Sequence, residues 1–154
     1  MKRGDRVEDF VLPDQTGAER RFSEFLANGP VVLFFYPAAM TPGCTKEACH
    51  FRDLASEFAA VGAQRVGIST DSVDKQAQFA DKQKFDYPLL SDTDGTVATT
   101  FGVKRGLLGK FMPVKRTTFV IDTDGTVLDV IASEVSMDTH ADKALEVLRA
   151  RKTA

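Results

Sequence analysis

The apolar residues of this chain alternate between short unbroken runs and stretches with helical spacing, and that alternation sets the expected architecture. Val31-Val32-Leu33-Phe34-Phe35 is continuously β-branched and aromatic, the pattern of a strand covered on both faces. Asn28-Gly29-Pro30 punctuates before it and Tyr36-Pro37 ends it. Downstream, the apolar positions Cys44, Ala48, Phe51, Ala55 and Phe58 step by four and three. That is one face of a helix, expected to run to about residue 61, where Gly62 stops it. Residues 66–69 predict a second buried strand, and Asp71 with Asp74 predict a cap and first turn for a helix through Lys84. A short strand is expected at 88–91 and a short helix at 93–101.

The two ends of the chain complete the pattern. Residues 9–12 predict a short strand, Pro13-Asp14-Gln15-Thr16-Gly17 a turn, and 20–22 the returning arm of a hairpin, followed by one helical turn at 23–26. Residues 117–121 and 126–131 are strand-like and joined by Asp122-Thr123-Asp124-Gly125, a hairpin signal because Asp-Gly accepts the positive φ of a tight turn. Asp138 is expected to cap a final helix to about residue 151, with Ala141, Leu145 and Leu148 inside. The order predicts an α/β sandwich, a mixed central sheet with flanking helices. With 154 residues and no repeat, linker or low-complexity stretch, one domain over 1–154 is expected.

Chemistry concentrates in one place. Cys44 and Cys49 are the two cysteines of the chain and both follow the strand expected at 31–35. Thr41 stands at the N-cap position of the predicted helix with Pro42 at its first position, where a missing N–H costs nothing. Cys44 is thereby placed in the first helical turn, where backbone N–H groups lack intrahelical partners and the helix dipole favours an anion. Cysteines at helix N-termini are commonly thiolates near neutral pH, so Cys44 is the expected nucleophile. An i to i+5 pair on a helix has Cα atoms roughly 8–9 Å apart, whereas a disulfide needs less than about 7 Å. If Cys44 and Cys49 join, the first turns must unwind.

Pro37, Thr41 and Cys44 fit the Pro-x-x-x-Thr-x-x-Cys signature, and with them the chain resembles the peroxiredoxins. A second cysteine five residues on is similar to the peroxiredoxin Q, or bacterioferritin comigratory protein, subfamily. Phe35-Tyr36-Pro37, Thr45-Lys46-Glu47-Ala48-Cys49, Phe51-Arg52-Asp53 and Arg116-Thr117-Thr118-Phe119-Val120-Ile121-Asp122 carry the resemblance across nearly the whole chain. It implies a thioredoxin-like fold and an atypical two-cysteine peroxidase acting on hydrogen peroxide and organic hydroperoxides. It further implies Cys44 as the peroxidatic and Cys49 as the resolving cysteine, joined in an intramolecular disulfide that thioredoxin or a similar dithiol donor reduces. Arg116 becomes the active-site arginine, Thr41 orients substrate, and Pro37 shapes the loop and shields the thiolate. Glu47 and Arg52 support the site in the subfamily, although on an exposed helix face they would be unremarkable. Ala38-Ala39-Met40 is more apolar than the commoner polar loop of the subfamily, a departure that bears on substrate preference.

Other readings are weighed by the same residues. Zinc needs four ligands, and two cysteines with His50 leave the set short, so neither metal nor other cofactor is expected. His50 and His140 are expected to face solvent. Asp-x-Asp-Gly at Asp92 and Asp122 echoes a calcium loop, but Val103 and Ser133 occupy the twelfth positions, and both segments are expected to be turns. Disulfide reductase activity is disfavoured because it uses Cys-x-x-Cys. A redox-switched interaction protein using the same disulfide remains the alternative. A net charge of -2 gives no reason to expect nucleic acid, and no apolar run reaches the ~20 residues that span a bilayer. A cytoplasmic protein, monomeric or weakly dimeric, is expected. Lys104, Arg105, Lys110, Lys115 and Arg116 form a basic stretch without an acid, ordinarily a solvated loop and otherwise a docking surface for an acidic reductase.

Overall fold

The computed structural model describes residues 1–105 and 113–153. Lys110, in the basic stretch, lies outside them. Seven strands and six helices follow one another as β1 (Val11–Pro13), β2 (Glu19–Arg21), α1 (Phe22–Leu26), β3 (Val31–Phe35), α2 (Pro42–Asp53), α3 (Ala55–Ala60), β4 (Gln64–Ser69), α4 (Val73–Gln83), β5 (Leu89–Ser91), α5 (Thr96–Thr100), β6 (Thr117–Ile121), β7 (Val127–Ala132) and α6 (Met137–Thr153) among the described residues.

The apolar run at 31–35 becomes the central strand. The main sheet has the order β5-β4-β3-β6-β7, with β3 parallel to β4 and antiparallel to β6. Every side chain of β3 is buried because the sheet is covered on both faces. Val32, Phe34 and Tyr36 point into one layer with Phe51, Phe58, Phe79, Leu145 and Leu148. Val31, Leu33 and Phe35 point the other way, onto Phe22, Phe25, Val97, Phe101 and Phe119. This mixed sheet between helices is the thioredoxin-like arrangement expected from the element order. Aromatic stacking fixes how α2 lies on the sheet: Phe34 and Phe51 have ring centroids 4.2 Å apart and nearly parallel planes.

The helix expected to continue to residue 61 instead breaks at Leu54, which has φ -96° and ψ 22°. The reason lies in the neighbouring strand. Arg65 of β4 donates through Nη1 to the carbonyl of Phe51 at 2.9 Å, the acceptor that the N–H of Ala55 would need for the helix to continue. Arg65 is fixed by a two-pronged ion pair with Asp86, 2.8 Å at its shorter contact. A second difference concerns α4, whose N-cap is Ser72: its hydroxyl accepts from the N–H of Lys75, and Asp71 is used elsewhere. The 122–125 turn forms as expected, with Gly125 at φ 88°, and a bulge interrupts the pairing beside it at Val120/Ile121. No helix among the described residues is long and apolar enough to cross a membrane.

Candidate active site

The end of β3 delivers Tyr36 and Pro37, both buried, into a tight loop that leads to α2. Met40 in that loop adopts φ 65°, a left-handed conformation that costs a non-glycine residue of order 1 kcal/mol. Polar contacts hold it there. Asp71 accepts from the backbone N–H of Ala39 at 2.7 Å and from the Ser69 hydroxyl at 2.7 Å. Behind Ser69, Gln76 donates to the Ser69 oxygen and to the Leu90 carbonyl, and it accepts from the Tyr36 hydroxyl. The loop before the helix is thus anchored to the buried end of the sheet.

Thr41 occupies the N-cap position with extended backbone, as its sequence context predicts, yet its hydroxyl caps no helical N–H. The hydroxyl donates instead to the Ala38 carbonyl at 2.8 Å and closes the loop. Cys44 follows in the first turn and is 1% exposed. Arg116, on the residue before β6, reaches it: Nη2 donates to Cys44 Sγ at 3.3 Å, and Nη1 donates to Glu47 Oε1 at 2.7 Å. The backbone N–H of Arg116 donates to Glu134 Oε1 at 2.9 Å, and Glu134 also pairs with Arg105 at 3.0 Å. Part of the basic stretch is therefore neutralised from the β7–α6 loop, which the local sequence does not reveal.

Gly43 makes this approach possible. A Cβ there would lie 3.2 Å from Arg116 Nη2 and 3.5 Å from Met137 Sδ, so a side chain would crowd the guanidinium and require it to give by a few tenths of an ångström. Burial disfavours the charged form of Arg116, but the neighbouring Glu47 and Cys44 outweigh it and hold its pKa above the ordinary value. For Glu47 the balance runs the other way: burial pushes the carboxyl up to about 8, against the pull of Arg116. Glu47 is therefore no exposed-face residue.

His140 departs from expectation. It is fully buried on α6, where its Nδ1 lies 2.8 Å from the Thr118 hydroxyl and 3.5 Å from Glu47 Oε2, and its Nε2 lies 2.8 Å from the Ser133 carbonyl. Burial lowers its pKa. Its signal was present in the spacing, since Met137, His140, Ala141, Ala144, Leu145 and Leu148 form one helical stripe, all buried. His50 is half-buried and bonds Asp142 of α6 at 2.7 Å.

Cys49 faces away from this cluster toward α4. Its thiol is half-buried and donates to Gln83 Oε1 at 3.4 Å, and burial pushes its pKa up. Arg52 Nη1 donates to the Gln83 carbonyl at 2.7 Å, and the Tyr87 hydroxyl donates to the Ala48 carbonyl at 2.6 Å. Both thiols are free. The fold brings Cys44, Arg116 and Glu47 into contact, with Pro37 and Thr41 in the loop at the helix start and Cys49 on another side of the same helix. Gly43, Asp71, Gln83, Tyr87 and His140 are contributions that motif reading missed. Among the described residues no group of three or more His, Cys, Asp or Glu is placed to hold a metal ion.

A buried thiol at a helix N-terminus, touching an arginine from a distant strand, is an arrangement for attack by sulfur on an electron-poor atom. The AhpC/TSA family model matches residues 3–130, most of the chain. The chain is a peroxiredoxin. Its likeness to named relatives covers nearly its full length. It is 38% identical to peroxiredoxin Bcp of Escherichia coli K12, over 97% of this chain and 96% of that one. It is 40% identical to the chloroplastic peroxiredoxin Q of Sedum lineare, over 99% of this chain and 80% of that one. The crystal structure of peroxidoxin BcpB from Mycobacterium tuberculosis matches with a TM-score of 0.94 at 77% identity, covering 97% of each chain. This peroxiredoxin is accordingly a thiol-dependent peroxidase of the peroxiredoxin Q and Bcp group, and its two cysteines suit the atypical two-cysteine subtype.

Proposed function

We propose that this peroxiredoxin reduces hydrogen peroxide and organic hydroperoxides with Cys44 as the nucleophile, and the observation that carries the proposal is the 3.3 Å contact of Arg116 Nη2 with the buried Cys44 sulfur. The Cys44 thiolate attacks the terminal peroxide oxygen, an S–O bond forms as the O–O bond breaks, and the departing oxygen takes a proton to leave as water or an alcohol. Arg116 and the backbone N–H groups of the first turn of α2 stabilise negative charge as it passes from sulfur to the leaving oxygen. Thr41 and Pro37, held by the anchored loop, orient the peroxide and limit the entry of water. The product on the enzyme is Cys44 sulfenic acid.

Cys49 then resolves it. Its thiol attacks the sulfenic sulfur and releases water, forming a Cys44–Cys49 disulfide that a dithiol donor such as thioredoxin reduces by exchange. Resolution requires α2 to let go of its neighbours, because an intact helix keeps the two Cα atoms roughly 8–9 Å apart. Unwinding would also free Cys49 from the burial that pushes up its pKa. The proposal takes residues 1–154 as one domain, working in the cytoplasm as a monomer or weak homodimer without nucleic acid or membrane.

Stopped-flow mixing of the reduced protein with hydrogen peroxide, followed by mass measurement, tests this. Rapid loss of both thiols with a monomer two hydrogens lighter is expected. Slow loss, or added oxygen with Cys49 still free, would reject the cycle and favour a redox-switched interaction protein.

A further inference from the structure

The Glu47 carboxyl presents its two oxygens to different partners. Oε1 accepts from Arg116 Nη1 at 2.7 Å, whereas Oε2 is buried and has no hydrogen-bond donor. What faces Oε2 is Nδ1 of His140, at 3.5 Å, and both side chains are fully buried. The tautomer of His140 follows from its other contacts. The Ser133 carbonyl can only accept, so Nε2 carries a hydrogen. In a neutral ring Nδ1 is then an acceptor, and the Thr118 hydroxyl at 2.8 Å donates to it. An ionised Glu47 beside a neutral His140 would set a fully buried carboxylate oxygen 3.5 Å from a ring nitrogen with no hydrogen to give it.

One proton removes the conflict, either as an Nδ1–H directed at the carboxylate, with the Thr118 hydroxyl turned to accept, or as a carboxylic O–H that displaces the Thr118 hydroxyl from the Nδ1 lone pair. We infer that Glu47 and His140 share one proton in the reduced resting enzyme, and that His140 is a positioning residue which keeps Glu47 from being a second full anion on Arg116. The inference rests on the proposed roles of Cys44 and Arg116. Charge counting explains its value: thiolate, guanidinium and a singly protonated pair sum to zero, whereas removal of that proton leaves the buried cluster with a net negative charge. In the second state Glu47 claims Arg116 and a Cys44 thiolate is harder to support. The groups around the pair are Arg116 just before β6, Thr118 of β6, the Ser133 carbonyl and Glu134 of the β7–α6 loop, and Tyr87, which senses the charge of Glu47, with Cys44 on the other side of Arg116. Of these, Glu134 lies where it opposes further negative charge on Glu47. The shift of the Glu47 carboxyl up to about 8 by burial agrees with a proton retained at neutral pH.

The test begins with the reduced, full-length protein carrying 15N-labelled histidine, observed at pH 7 by NMR and by infrared spectroscopy. His140 is expected either as an imidazolium, or as the Nε2–H tautomer together with a carboxylic-acid stretch that disappears in Glu47→Gln. Either result places one proton in the pair. A neutral His140 with no carboxylic-acid band from Glu47 overturns the inference. Glu47→Gln cannot release that proton, so its rate of thiol loss with hydrogen peroxide is expected to depend less steeply on pH above pH 8 than the parent's. A dependence as steep as the parent's would overturn the inference. Because the spectroscopic measurement reads the resting protein, a failure of Cys44 as nucleophile would leave it unchanged and is separately visible.

Discussion

Cys44 and Cys49 stand five residues apart on one helix, in surroundings with almost nothing in common. Cys44 is sealed under the helix start, 1% exposed, with Arg116 delivered from just before β6, 72 residues away, and backed by Glu47 and His140. Cys49 is half-buried at the seam between α2 and α4, held by one long bond to Gln83. The first environment is a fixed set of charges supported from α6 and β6, suited to preorganised electrostatics that need not rearrange during reaction. The second is a set of separable polar contacts, each worth about 1 kcal/mol, suited to being broken. On the proposed cycle one helix would combine a fixed attack site with a releasable one, and the break at Leu54, where Arg65 takes the Phe51 carbonyl, bounds that helix at its far end.

That contrast can be broken from either side. Replacing the sulfur of the rigid site has the largest expected effect: Cys44→Ser should abolish peroxide-dependent turnover, measured by consumption of a thioredoxin-coupled reductant, and substantial remaining activity would place the nucleophile elsewhere. Arg116→Ala removes the charge from the same site while keeping the sulfur. Loss of one preorganised donor costs about 10²–10³ in rate, so thiol loss in stopped flow should slow by that order. An unchanged rate would remove Arg116 from the chemistry.

On the releasable side the effects are selective. Cys49→Ser should leave a first turnover as fast as in the parent and a sulfenic acid that dimedone traps, while steady-state turnover with thioredoxin is lost. Normal steady-state turnover would take Cys49 out of the cycle. The smallest effect sharpens the comparison: Tyr87→Phe deletes the bond to the Ala48 carbonyl, 2.6 Å long and buried beneath α2. At about 1 kcal/mol for that bond, disulfide formation after the first turnover should accelerate about fivefold, with thiol attack on peroxide unaltered. A slower disulfide step would show that the bond guides the rearrangement instead of resisting it.

Much of the framework was legible in the chain. The run at 31–35 could be satisfied only by a strand covered on both sides, and the Asp-Gly turn fixed the β6–β7 hairpin. Thr41, Pro42 and the apolar period starting at Cys44 set where α2 begins. These are short-range signals, in which a residue's own stereochemistry or a local period decides the outcome. The end of α2 was not legible, because the group that takes the Phe51 carbonyl comes from β4. Nor was Ser72 distinguished from Asp71 as the cap of α4, since Asp71 is drawn away by the N–H of Ala39 across a gap of 32 residues.

By itself, then, the sequence determined which segments become the main strands, where the helix starts and the position of a thiol in the first helical turn, because each follows from stereochemistry and spacing within a short stretch. Tertiary structure alone decided which charges surround that thiol. Arg116 and Glu47 are 69 residues apart in the chain and 2.7 Å apart in space, and although local spacing puts His140 on the apolar stripe of α6, only the packing of that stripe against α2 and β6 brings it to Glu47. Electrostatics in a buried site depends on distance and on the exclusion of water, and neither is a property of any local stretch of sequence.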